Sequence, residues 1–561
     1  MLLLLICWCY LGFTFLNLGF AFQKITKIKS DDHILTLIFG MFFTTILAST
    51  WAIYGRIHFE FQLFLIALQG LIILKFTKEL YLDYQSLWLQ IKSLPKALKI
   101  FLITIASLIL IQAVSNAALI DNETYYIQTI KWLNEFGFVK GLANLHPFFA
   151  QTSGWHILQS AFSFSFLPFS NNDLNGFCLL LGNLFAAFRL KDYVKNGHRI
   201  NLWFGLLPLA NVFLFSFSNV PSPDLAVAVL SMVLFHYFIK SEYEEVMTFN
   251  VLSLLTIFII YIKITALPLV VLPLTFFAIY FKKMTVKINT SLIIGLLVFI
   301  LFAIKNTILT GLPLFPSLLF QKVVAVDYVL PMSLYDFSFE TSKCYSFFIS
   351  GQAYAASNGF HIFLKWLTHS YFNGFVVILL IVIPYFIKRF FNSKAAWMLY
   401  AVMVFQFIFI WYTSPQFRFM IPFILLFCLL LLSLVIRVEK TIYSAFFGSF
   451  FLIGLLLIFP PKLGQHHTKI KFTSDSFSSH QLLYPNPNSN LKTTFEAKTM
   501  GNLHYFSPDS TTYIWATGDG KLPCVNEKQL QYFKKQLGIF PQCRTNNIKD
   551  GFYSKNKSSH D

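Results

Sequence analysis

The chain has 561 residues, of which 56% are apolar and only 12% charged. A soluble globular chain carries about 25% charged residues, so an ordinary water-soluble domain is excluded, as are a disordered chain and a small disulfide scaffold. Net charge is +18, but Lys and Arg fall in short clusters between apolar runs. That is the pattern of topology-setting loops, and no basic stripe with interleaved aromatics points to nucleic acid.

A membrane-spanning helix needs about 20 mostly apolar residues. By that rule spans are expected near 1–22, 34–54, 61–76, 100–118, 173–190, 200–218, 224–240, 249–264, 266–281, 289–305, 371–388, 396–412, 416–435 and 443–459. The first run has no positively charged start and is too long for a cleaved signal, so it reads as a retained span. The expected fold is an all-α polytopic membrane protein of about fourteen helices. A transmembrane domain over 1–460 is followed by a small α+β extracytoplasmic domain over 461–561.

Orientation follows from short loops. Lys24, Lys27 and Lys29, then Lys92, Lys96 and Lys99, then Arg189, Lys191, Lys195 and Arg199 fall at alternate turns, with Lys282–Lys283, Lys388–Arg389 and Arg437–Lys440 further on. Placing all of them in the cytoplasm satisfies the positive-inside rule. The loops 119–172 and 306–370, the N-terminus and the tail then lie outside, and the apolar run 153–169 is expected as an interfacial helix. The expected location is the bacterial cytoplasmic (inner) membrane, in contact with the lipid bilayer.

After Pro460–Pro461 the chain turns polar. Thr511–Trp515 reads as a strand, Asp519–Gly520 as a turn, and 526–537 as an amphipathic helix carrying Leu530, Phe533 and Leu537. Cys524 and Cys543 bracket that helix, and an oxidising outer location favours a disulfide between them.

The residues most suggestive of chemistry lie in the first outer loop, Asp121 to His146. Asp121 and Glu123 stand at the outer end of the fourth span, where acidic groups are costly unless solvated or used. Asp121 either takes a proton from an acceptor hydroxyl or, paired with Glu123, holds a divalent metal such as Mg or Mn. It serves equally well as a cap for a helix starting at Asn122. Lys263, Lys305 and Arg418 sit at outer span ends and suit the charge of a lipid-linked phosphate, or snorkel to headgroups. Asp224, after Pro221-Ser-Pro, suits a site or a helix cap. His146 faces a sugar or makes a structural hydrogen bond; Trp155 and Trp132 stack on a sugar ring or anchor the interface.

An outer-loop carboxylate, many spans and an outer C-terminal domain resemble the C-type (GT-C) membrane glycosyltransferase superfamily. The likeness runs through a bacterial family of multi-span membrane proteins. It is carried by Asp121 to His146, Pro221-Ser-Pro-Asp224, Ile262-Lys-Ile-Thr265, Gly311-Leu-Pro-Leu-Phe-Pro316 and Ser414-Pro-Gln-Phe-Arg-Phe419. The resemblance implies transfer of a sugar from a polyprenyl-phosphate carrier to a glycan or lipid acceptor. It makes Asp121 the base or metal ligand, with Glu123 as partner; beside that pair, the reading of the residues themselves offers His146, Trp155, Asp224, Lys263, Lys305 and Arg418 as substrate-binding candidates. A polysaccharide polymerase or ligase, or a transporter or flippase of lipid-linked glycans, is the alternative. No Walker loop, dinucleotide fingerprint, zinc motif or nucleophile elbow is present.

Overall fold

The computed structural model describes residues 1–556 apart from 29, 118, 168, 170, 241–244, 285–288, 392, 460–477, 510 and 512. Among the described residues, eleven helices are long and apolar enough to cross a membrane. Helices α1 (Leu2–Thr26) and α2 (His33–Tyr54) pack antiparallel. A Cβ on Gly19 would meet the Thr36 carbonyl, and one on Gly40 the backbone of Phe15. Small residues permit that approach where lipid supplies no hydrophobic drive between helices. Asp32 caps α2, accepting from the Ile34 amide at 2.9 Å. The apolar stretch of α2 is 78% buried, against 22% for Tyr371–Phe391 and Glu439–Ile458. Helix α2 is therefore central, while the other two present most of their surface to lipid.

The remaining expected spans are helical too, with instructive differences. Helix α3 (Phe59–Lys92) has 34 residues and is kinked at Phe76, so the expected span 61–76 is only its first part. The run 200–218 is broken into Arg199–Gly205, Leu207–Ala210, Asn211–Leu214 and Phe215–Phe217, with Pro208 inside the break. Pro223–Ile239 and Thr248–Ile262 are apolar but short. Leu174–Asn196 is a helix whose last turns carry Arg189, Lys191, Asp192 and Lys195. The expected count of fourteen thus includes two short helices and one partly polar one.

The connecting segments sort into two ends. At one end the Met1 ammonium donates to Gln481 O at 2.7 Å, Arg544 pairs with Asp327 at 3.0 Å, and Lys131 with Asp519 at 2.7 Å. The N-terminus, both large loops and the tail therefore meet. At the other end Lys24 pairs with Glu79 at 3.0 Å, Lys191 donates to Ser93 Oγ at 2.6 Å, and Tyr193 donates to Arg437 O at 2.9 Å. Basic clusters that the positive-inside argument grouped on one side lie together.

The tail forms two antiparallel ribbons, β1 (Phe495–Met500) with β2 (Leu503–Pro508) and β3 (Ile539–Cys543) with β4 (Phe552–Asn556). Its buried Leu503, Tyr505, Leu530 and Phe552 join the core of the helical part. Trp515, Phe533 and Ile539 pack with Ala143, Leu312 and Leu334 of the two large loops. Phe552 N donates to Lys140 O at 2.9 Å, an approach that leaves no room for a Cβ at Gly141 (φ 61°) or Gly551 (φ 100°).

Three expectations are corrected here. The amphipathic helix exists, as Glu527–Tyr532 continued by the wider turn Phe533–Leu537, but the described residues of the expected strand Thr511–Trp515 form none. Ala516 N donates to Tyr513 O at 3.1 Å, closing a turn, and Thr512 lies outside the described residues. Cys524 and Cys543 are free thiols. Cys524 Sγ donates to Thr517 O at 3.1 Å, while Cys543 ends β3 opposite Phe552. The interfacial helix at 153–169 is only Gly154–Ala161 and is buried throughout by protein. The boundary at Pro460–Pro461 lies outside the described residues.

Candidate active site

Four charged residues from four separate segments converge. Asp121 directly precedes a π-helical turn, Asn122–Tyr126, that leads into Ile127–Glu135. Asp224 is in the first turn of Pro223–Ile239, behind Ser222 as cap and Pro223 at the first helical position. A carboxylate there is favoured by the helix dipole. Lys263 occupies the break between Glu245–Ile262 and the 3-10 segment Ile264–Val270. Arg418 lies in the tight turn Phe417–Met420, ahead of Ile421–Val435.

Arg418 Nη1 donates to Asp121 Oδ2 at 2.5 Å and lies 3.8 Å from Asp224 Oδ2. Lys263 Nζ pairs with the other Asp224 oxygen and sits 4.4 Å over the Phe419 ring. Two carboxylates and two cations alternate, so the set is electrically neutral. Asp224 is the deepest, its side chain 4% exposed, while Asp121 and Arg418 are about one quarter exposed at 24% and 28%. Burial would raise the Asp121 carboxyl, but the Arg418 charge and hydrogen bond, with Lys263 behind, hold it below the usual carboxylate range.

The Arg418 turn is braced on several sides. Trp366 Nε1 donates to Pro415 O at 2.6 Å, Ser342 and Ser414 hydroxyls are 2.9 Å apart, and the rings of Phe372 and Phe417 stack at 4.7 Å. Gln406 Nε2 donates to Thr265 O at 2.9 Å and to Phe419 O at 3.2 Å, tying the Lys263 break to the Arg418 turn. Tyr126 donates to Asp121 Oδ2 at 3.4 Å, and its ring lies 4.9 Å from that of His156. Burial, then the Lys263 and Lys305 charges, push the His156 imidazole down to about 3. His156 is a neutral wall of the site.

Neither carboxylate acts as the cap its position suggested. Asp121 makes no side-chain cap bond to the Asn122–Tyr126 turn, and at Asp224 the cap is the Ser222 hydroxyl. Glu123 does not join Asp121 either. Its carboxylate is fully buried and accepts from Ser489 Oγ at 2.6 Å, Asn490 N at 2.8 Å and Asn122 Nδ2 at 3.3 Å. Its carbonyl accepts from Thr517 N and Gly518 N at 2.8 and 2.9 Å. Burial lifts this carboxyl to about 7 despite those donors. Glu123 holds the tail. A metal shared by Asp121 and Glu123 does not fit, because each carboxylate is taken by a different partner.

Four other residues expected to meet substrate stand apart. His146 is fully buried, its Nε2 3.3 Å from Trp515 O and its Nδ1 accepting from Phe148 N. Trp155 is buried, donating to Asn175 Oδ1 at 2.6 Å, so it has no face for a sugar. Trp132 is likewise enclosed, against Phe136 and Phe552, and neither Trp anchors an interface. Lys305 is buried and donates to Thr152 O at 2.5 Å, separate from the four-residue set. Gln406 was missed; a lone amide in the apolar helix Lys394–Thr413 was its signal.

Fold and site together define a multi-pass membrane protein with a charge-balanced cluster at the end of the bundle where the tail docks. The chain belongs to the family described as a domain of unknown function (DUF8201), whose model matches residues 1–425. All four cluster residues fall inside that match and the tail outside it. No curated protein and no solved structure matches the chain.

Proposed function

We propose that the protein is a glycosyltransferase of the bacterial cytoplasmic membrane, taking a sugar from a polyprenyl-phosphate carrier at the outer face. The observation that carries the reading is the Asp121–Arg418 pair, set beside Asp224–Lys263 at the end of the spans. A carboxylate locked to a guanidinium is a weak base. A lipid phosphate competes for Arg418, because the planar fork can take two of its oxygens where Asp121 engages it through one. When the donor phosphate takes Arg418, Asp121 loses the charge that lowered its pKa and becomes a competent base. The acceptor hydroxyl then attacks the anomeric carbon, its proton goes to Asp121, and the carbon–oxygen bond to phosphate breaks. The electron pair leaves with the polyprenyl phosphate, whose charge Arg418 and Lys263 offset. Asp224 keeps Lys263 in place, and Glu123 with the tail closes the outer side.

Sidedness in this reading follows the basic loops, which face the cytoplasm, leaving the tail and both large loops outside. A transporter would place its charges near mid-membrane; this cluster sits at helix ends, which favours transfer over transport. The test is transfer of radiolabelled sugar from undecaprenyl-phosphate monosaccharides by purified protein in liposomes, wild type against Asp121→Asn. Loss of a general base costs about 10²–10⁴-fold in rate.

A further inference from the structure

Beside the ion-pair cluster lies a cavity of ≈ 10 Å³ lined by Asp224, Lys263, Gln406 and Arg418 together with Ala266 and Phe419. Three of these residues hold buried polar atoms without a hydrogen-bond partner among the described residues: Asp224 Oδ2, Gln406 Oε1 and Arg418 Nε. Asp224 and Gln406 are 5% and 2% exposed, so bulk water does not serve them. The Gln406 amide nitrogen is fixed by the Thr265 and Phe419 carbonyls, which settles which end of the amide is left over. Lys263 Nζ spends one N–H on Asp224 and keeps two. The lining residues thus bring two donors and two acceptors to one small space.

The volume and the polarity both select the occupant. About 10–15 Å³ is what one water needs, and a buried water makes about three hydrogen bonds. A phosphate oxygen only accepts, so it would leave Asp224 Oδ2 and Gln406 Oε1 bare and bring negative charge against Asp224. An ammonium only donates and would meet Arg418 and Lys263. A hydroxyl donates and accepts.

We propose that this cavity is a hydroxyl-binding subsite, filled by one water in the resting chain and by one hydroxyl of the transferred sugar during turnover. The sugar assignment rests on the glycosyltransferase reading; the capacity for a single hydroxyl does not. The experiment is structure determination of the full chain in lipid nanodiscs, at a resolution that shows ordered water. Wild type is compared with Gln406→Met, which keeps the volume and removes the acceptor together with the Nε2 donations to Thr265 O and Phe419 O, so the positions of those two segments are compared in the same maps. Arg418→Lys, which removes Nε and keeps the charge, serves the same purpose if the first variant does not accumulate. Wild type should show one peak within about 2.6–3.2 Å of at least three of the four groups, lost in the variant. An empty cavity in wild type, or a peak unchanged in the variant, overturns the subsite.

The second arm adds undecaprenyl phosphate, or a panel of undecaprenyl-phosphate hexoses and pentoses. The peak should persist with the bare phosphate and give way to a sugar oxygen with one glycosylated form. A water that stays beside a bound sugar overturns the sugar assignment and leaves the hydroxyl subsite standing. If no glycosylated carrier binds, the glycosyltransferase reading falls with the sugar assignment, while the wild-type and Gln406→Met comparison still decides the subsite.

Discussion

Asp121 Oδ2 and Arg418 Nη1 are 2.5 Å apart although 297 residues separate them in the chain. The pair joins the first large loop to the turn between two late spans and so fixes the geometry of the site; in the proposed function it also holds the base inactive until the donor phosphate arrives. Removing one member leaves the other charge unpaired in a half-buried setting. Arg418→Gln should therefore lower thermal stability more than the double variant Arg418→Gln with Asp121→Asn. A coupling energy of about 0.5–3 kcal/mol is expected from a double-mutant cycle. Additive effects would mean the pair is only a contact.

Glu123 gives the tail a pH dependence. Its folded pKa, about 7, lies above the ordinary value of 4.5, so the folded form holds its proton more tightly than the released form. The resulting stabilisation is complete below about 4.5 and is lost as pH rises through about 7. Limited proteolysis of the tail should quicken between pH 5 and 8 in wild type. In Glu123→Gln, which stays neutral and keeps an acceptor, the rate should be flat over that interval. A tail whose release slows with rising pH would contradict the assignment.

Cys524 and Cys543 should behave as enclosed thiols. Maleimide should modify neither in the native protein and both after denaturation, and non-reducing mass spectrometry should find no linked peptide. The sequence suggested a bridge because the two flank one helix; folding places one against Thr517 and the other against Phe552.

The two ends of the bundle should face opposite sides of the membrane. Cysteines placed at exposed Asn546 and exposed Lys195 should react with an impermeant reagent from the outside and only after lysis, respectively. Labelling of both from one side would overturn the topology.

Much of the helical plan was legible because each span is a long apolar run. The exceptions have physical causes: Pro208 breaks one run, and α3 continues through its kink into a polar second half. Asp121, Asp224, Lys263 and Arg418 were all visible as charges at span ends. Their pairing was not, since no local pattern links residues so far apart. Glu123 misled because two carboxylates at i and i+2 look like a pair, whereas the π-helical turn sends them to different partners. His146, Trp155 and Lys305 misled because polar or aromatic character says nothing about burial. Gln406 shows the reverse: one amide in an apolar helix was the signal for the site's second layer.

The central claim is that Asp121 accepts the acceptor's proton once a lipid phosphate has drawn Arg418 away. The most direct measurement is single-turnover sugar transfer from a saturating undecaprenyl-phosphate sugar in liposomes, with wild type and Asp121→Asn at equal folded amounts. The account predicts donor binding within a few-fold of wild type and a transfer rate lower by about 10²–10⁴-fold. An Asp121→Asn protein that binds donor and transfers sugar at the wild-type rate would contradict it.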